Sequence, residues 1–192
     1  MTIALPRTAS HRAGTAFLGM VLFLGSWAML FASLFFAYGV VRANAHAWPP
    51  ADLPRLPLGL PGFATLVLAG SSFLYENAQA RLRGGRSGVS AAIAGAIFLG
   101  AVFLGAQSVV WRELWAAGLR PDTGTYASVF FGFTVFHALH VLVGLGALAW
   151  LAFRGARGTY SAAHHLPVRL WGLYWHMVGI IWGLMFVTVY VV

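Results

Sequence analysis

Three histidines stand in stretches that are otherwise almost wholly apolar: His137 and His140, one helical turn apart at the head of FHALHVLVGLGALAWLAF, and His176 in YWHMVGIIW. Imidazole nitrogen is a common metal and haem ligand, and facing helices of a bundle can bring such groups onto one centre. Spacing of three residues puts His137 and His140 on one helix face. No carboxylate motif accompanies them, however, and no zinc-protease pattern follows. The reading the residues favour is structural: neutral imidazoles that donate and accept hydrogen bonds between the fourth and fifth apolar stretches, or toward lipid or a partner subunit. The chain has no cysteine, which excludes thiolate metal sites, iron–sulfur clusters, disulfides and thiol catalysis.

The remaining polar residues give little more chemistry. Glu76 is the only acid in the interior half of any apolar stretch; it reads either as a weak proton-relay candidate or as an interfacial acid paired with Arg81 or Arg83, and the second is preferred. Gln107 is expected to close a contact between helices. His164 and His165, near arginines in a loop, suit hydrated or lipid-phosphate contacts. No nucleophile with a neighbouring base, no phosphate-binding glycine loop and no catalytic carboxylate pair is present. The expected sites are therefore neither catalytic, cofactor-binding nor metal-binding.

The elements that must position these groups follow from composition. Of 192 residues, 60% are hydrophobic and 8% charged, the balance of an integral membrane protein. The net charge of +8 comes entirely from arginines. They lie beside or between the apolar stretches rather than in one dense block, so they read as topology signals and lipid contacts, and not as a nucleic-acid surface. Hydropathy predicts an all-α bundle of five transmembrane helices near residues 14–41, 57–80, 89–111, 126–153 and 170–192, forming one domain over 14–192 behind a short segment, 1–13. The first apolar stretch is too long for a cleaved signal core and is expected to be retained. Arginines concentrate in the N-terminal segment and in loops two and four, which predicts a cytoplasmic N-terminus and an outer C-terminus. The proline-rich connection Arg42 to Pro57 should be an extended surface loop, and RLRGGRSG should turn spans two and three into a hairpin.

Small residues mark close helix approach in lipid, which points to Ala91, Ala94, Gly95, Gly100, Gly105 and Ala106 of the third span and to Gly179 and Gly183 of the fifth. Trp171, Tyr174, Trp175 and Tyr190 are expected in the aromatic belts at the membrane surfaces.

Taken in order, GMVLFLGSWAMLFASLFFAY, LAGSSFLYENAQARLRGG, LGAVFLGAQSVVW, SVFFGFTVFHALHVLVG and YWHMVGIIWGLMFVTVYVV resemble successive helices of subunit III of the haem–copper oxidases, the cytochrome c and quinol oxidase family, in its short five-span form. The matched positions are Phe130, Phe131, His137, His140, Val141 and Gly144, then Tyr174, Trp175, His176, Val178 and Trp182, with His164 and His165 in the loop between. The resemblance implies a non-catalytic subunit without haem or copper of its own, packed beside subunit I, in a complex with subunit II. It also implies phospholipid binding, support of proton uptake and a bacterial cytoplasmic (inner) membrane. Three carboxylates of the family pattern are absent: the positions hold Trp27, Gly179 and Val110. Those losses keep a divergent branch in view, an accessory membrane subunit of a nitric oxide reductase; a small five-span transporter or proton channel is a separate alternative, for which the interior acids are sparse.

Overall fold

The computed structural model describes residues 7–50, 53–160 and 165–191. It is all-helical: α1 (Arg7–Ala43), α2 (Gly59–Arg83), α3 (Val89–Ala116), α4 (Thr125–Ala156) and α5 (Leu166–Met185), the last running on into one π-helical turn, Phe186–Val191. Among the described residues four stretches are long and apolar enough to cross a membrane: Ala13–Ala43, Val89–Ala116, Thr125–Ala156 and Leu166–Val191. α2 has the length, at 25 residues, but Ser71, Ser72, Glu76, Asn77, Gln79, Arg81 and Arg83 lower its hydropathy.

Local signals end each helix where the sequence changes character. Pro167 opens α5, where an amide hydrogen has no helical partner in any case. Between α2 and α3 the chain turns through Gly85 and Gly88, both at positive φ, a backbone conformation glycine adopts without steric cost. The predicted loop Arg42 to Pro57 begins inside α1, which runs on to Ala43; beyond that the connection contains no helix or strand among its described residues. Trp48 anchors it, packing edge-on against Tyr38 and Tyr126.

α2, α3, α4 and α5 form a ring in which each helix is antiparallel to the next. Ser71 reaches Ala96 and Gly70 faces Leu99; Trp111 reaches Thr134 and Gly100 faces Leu145; Tyr174 reaches His140; Trp182 reaches Thr65 while Gly172 faces Gln79. α1 lies outside this ring against the α4–α5 edge. It runs antiparallel to α4, with Phe31 at His137 and Phe35 at Phe133, and parallel to α5, with Trp27 at Tyr174 and Tyr38 at Thr188.

The structure changes two expectations. Tyr174, Trp175 and Tyr190 are not belt residues but buried core. Gly144 and Gly100 leave room for the Trp175 ring: a Cβ on either glycine would lie within 3.0 Å of it. The belt-like aromatics are instead Trp115 and Trp150, exposed near helix ends beneath the guanidinium groups of Arg120 and Arg154. Of the small residues in α3, Gly95 and Gly100 meet neighbouring helices, whereas Ala91, Ala94 and Gly105 face outward. Small residues occur all around this helix, so composition alone did not separate the packed face from the open one.

Candidate functional site

The histidines do not converge. His137 is fully enclosed by Phe31, Phe103 and Trp182, and neither of its ring nitrogens has a hydrogen-bond partner. His140 lies 2.7 Å through Nδ1 from the Phe136 carbonyl of its own helix and stacks on Trp27 of α1, with ring centroids 4.6 Å apart. His176 is turned toward α2, its Nε2 3.5 Å from a carboxylate oxygen of Glu76. Among the described residues, none of these histidines makes a side-chain hydrogen bond between α4 and α5. α4 and α5 are joined instead by the Tyr174 hydroxyl, which donates to the His140 carbonyl at 2.9 Å. Among the described residues no group of three or more histidines, aspartates or glutamates is placed to hold a metal ion.

What holds the ring together is a repeated pairing of indole with hydroxyl. A side-chain hydroxyl gives its proton to a backbone carbonyl and keeps lone pairs for a second donor. Trp175 Nε1 donates to Ser71 Oγ at 3.1 Å, and Ser71 donates to Ala96 O of α3 at 2.7 Å, so one serine ties α5, α2 and α3. Trp182 Nε1 donates to Thr65 Oγ1 at 2.9 Å, which donates to Pro61 O. Trp111 Nε1 donates to Thr134 Oγ1 at 3.0 Å, which donates to Phe130 O. Tyrosines supplement these bonds: Tyr75 donates to Val168 O and Tyr38 to Thr188 O, using the second lone pair of a carbonyl. In lipid such bonds contribute because apolar burial gives helices no reason to associate. Gln107, buried in α3, donates through Nε2 to the Tyr190 hydroxyl at 3.3 Å, closing the contact between α3 and the π-helical turn.

Glu76 sits in a small polar cluster. Arg83 Nη2 donates to one carboxylate oxygen at 2.8 Å; Gln79 Nε2 donates to the other at 3.1 Å, on the side where His176 lies. Arg81 is used differently: Nε donates to Asn77 Oδ1 at 2.9 Å and Nη1 to Ser87 O at 3.3 Å, bracing the α2–α3 turn. His165 borders a narrow cleft with Gln79, Arg83 and Arg169. His164 lies outside the described residues.

The positions that lack the expected carboxylates are filled with packing. Trp27 is buried, stacked on Tyr174 and His140, and its Nε1 has no acceptor. Val110 is fully buried, and a Cβ on Gly179 would lie 3.3 Å from Ser72 Oγ.

The family model for cytochrome c oxidase subunit III matches residues 6–192. This chain belongs to that family. Its relatives include the cytochrome c oxidase subunit 3 of Synechocystis sp., 36% identical over 180 residues that cover 90% of this chain and 73% of the relative. The subunit 3 of Thermostichus vulcanus is 34% identical over 91% of this chain and 86% of its own length. A probable subunit 3 of Nocardia farcinica is 33% identical over 95% and 90%. The order of motifs that first suggested subunit III thus extends along nearly the whole chain.

Two features of this subunit III were not foreseen from sequence. One is the Glu76–His176 pair, whose members lie 100 positions apart. The other is the set of indole–hydroxyl bonds. Its signal was present as mid-helix Thr65, Ser71 and Thr134 set against mid-helix tryptophans, but their pairing depends on helix neighbours that periodicity does not reveal.

Proposed function

We infer that this chain serves as the non-catalytic subunit III of a haem–copper terminal oxidase, stabilising subunit I and supporting proton uptake during aerobic respiration. The observation that carries this reading is the subunit III match over residues 6–192. The relatives are named as cytochrome c oxidase subunit 3, which favours neither a nitric oxide reductase accessory protein nor a transporter. Haem and copper belong to the partner in this reading, with subunit II in the same complex and phospholipid around the bundle.

The domain is a single unit over 14–192 that crosses the membrane five times, with residues 1–13 and the N-terminus in the cytoplasm and the C-terminus outside, in a bacterial cytoplasmic membrane. α2 supports a fifth crossing by its length, about 37 Å at 1.5 Å per residue, and by keeping its arginines at its C-terminal end. His137, His140, His176, Gln107, Trp175 and Trp182 act as helix-packing groups, while Arg81 and Arg83 with His164 and His165 lie on the cytoplasmic side among lipid headgroups. Glu76, already engaged by Arg83, is a structural acid rather than a step in a proton path.

Purification in mild detergent through a tag on this chain tests the reading. Recovery of subunit I with haem and copper is the expected result. Haems b and c with non-haem iron would replace it with the reductase reading, and proton flux through the isolated chain in liposomes, abolished by Glu76→Gln, would replace it with the channel reading.

A further inference from the structure

At the end of the bundle where α1 passes into the loop, α4 begins and α5 finishes, the helices leave a pocket of about 400 Å³ unfilled. The loop supplies one wall through Trp48, held edge-on between Tyr38 of α1 and Tyr126 of α4. The π-helical turn supplies another through Val189, Tyr190 and Val191. Turns of this kind are rare and recur at functional sites. Arg55 and Leu58, both exposed, complete the lining from the loop side.

Two donors on these walls are unused. Tyr126 is only 7% exposed, yet its hydroxyl has no hydrogen-bond partner among the described residues, whereas the hydroxyls of Tyr38 and Tyr190 both have one. Leaving a buried hydroxyl unpaired is costly. This one is not sealed in protein as the Tyr160 hydroxyl is, so the space open to it is the pocket that Tyr126 lines. Arg55 forms no ion pair among the described residues, and no acid among them lines the pocket beside it. A guanidinium has only donors to offer, in a fixed fork. Fork and phenol together therefore call for an anion.

The remaining surface is apolar, with Leu58 and Val191 more than half exposed. An anionic head beside such surface selects an amphiphile. Size and charge narrow the class further. A volume of about 400 Å³ admits about 13 groups the size of a water molecule, at about 30 Å³ each. That is a head and part of one alkyl chain, and not a glycerol backbone carrying two. One guanidinium balances one negative charge, which a carboxylate carries and a phosphate monoester exceeds.

We propose that this pocket binds a single-chain amphiphilic carboxylate. Arg55 pairs with the head through its fork, the Tyr126 hydroxyl donates to the same head, and the chain lies over Leu58, Val189 and Val191. The bound molecule ties the loop, α4 and the end of α5 together. The site belongs to this chain's own fold and goes beyond the subunit III reading.

The test uses the full-length chain, purified with whatever subunits accompany it, and dodecanoate with a photoreactive diazirine on its alkyl chain as the probe. Irradiation and mass spectrometry are expected to place the label on Leu58, Val189 or Val191. Arg55→Gln should weaken labelling about tenfold and Tyr126→Phe about threefold. Arg55→Lys should fall between Arg55→Gln and the unaltered chain, because lysine keeps the charge without the fork. Unlabelled dodecanoate should compete and dodecanol should not. If Tyr126→Phe does not assemble, the substitutions at the exposed Arg55 carry the test. Labelling unchanged in Arg55→Gln, competition by dodecanol equal to that by dodecanoate, or label confined to the outward faces of α1 and α4 overturns the proposal. Equal competition by phosphatidylglycerol, marking a phospholipid site, or by acetate, marking a simple anion site, overturns it as well.

Discussion

α5 and α1 both carry aromatic residues into the bundle, but they attach in different ways. Trp175 and Trp182 of α5 each give the indole N–H to a hydroxyl of α2. Trp27 of α1 is as deeply buried, yet it contributes only stacked rings and its N–H finds no acceptor. Tyr38 joins α1 to the ring of helices by a hydrogen bond to Thr188 O, at one end. Directional bonds with close glycine contacts fix α2 through α5 in one arrangement, whereas α1 is held by shape and ring contact.

The comparison can be broken or sharpened by substitution, with stability followed by unfolding in detergent micelles. Gly144→Leu should have the largest effect: even a Cβ would fall 2.8 Å from the Trp175 ring, and overpacking of this kind costs about 3 kcal/mol. Loss of the α4–α5 contact with α1 displaced is the expected outcome, and an unchanged unfolding midpoint would show that the tight approach is not real. Ser71→Ala removes the shared acceptor and leaves the buried Trp175 N–H unpaired, at a cost of about 1–2 kcal/mol. His140→Leu removes the ring stacked on Trp27, a contact of about 0.5–1.5 kcal/mol. It should loosen α1, seen as faster proteolysis between α1 and α2, while haem absorption of the assembled complex stays unchanged. Trp27→Phe forfeits no hydrogen bond and should cost less than Trp175→Phe; equal costs would dissolve the distinction between the two regions. Gly105→Ala, with open space around it, should change stability by less than about 0.5 kcal/mol.

Much of the architecture was legible because the signals are local. Apolar length pointed to α1, α3, α4 and α5, although α1 begins at Arg7, seven residues ahead of the expected span, and the glycines at 85 and 88 marked the hairpin turn. Motif order also carried the family. What periodicity did not carry was direction around each helix. In water an apolar stripe shows which face is buried, but in lipid both faces are apolar, so Tyr174 and Trp175 looked like surface aromatics when the glycines at 100 and 144 had made room for them inside. The histidine roles were hidden for the same reason: the partners of His140 and His176 are Trp27 and Glu76, on helices far away in sequence. Those pairings depend on which helices adjoin, and that is decided by the whole ring.

The central claim is that this chain supports a metal-bearing partner without carrying out its chemistry. Turnover of the purified complex, measured with this chain removed by detergent and again after it is restored, tests that most directly. The account predicts a rate per haem that is lowered but not abolished by removal, with the haem spectrum of the partner kept and the rate recovering when the chain returns. An initial rate that vanishes on removal and returns on restoration, with the haem spectrum of the partner intact throughout, would contradict it.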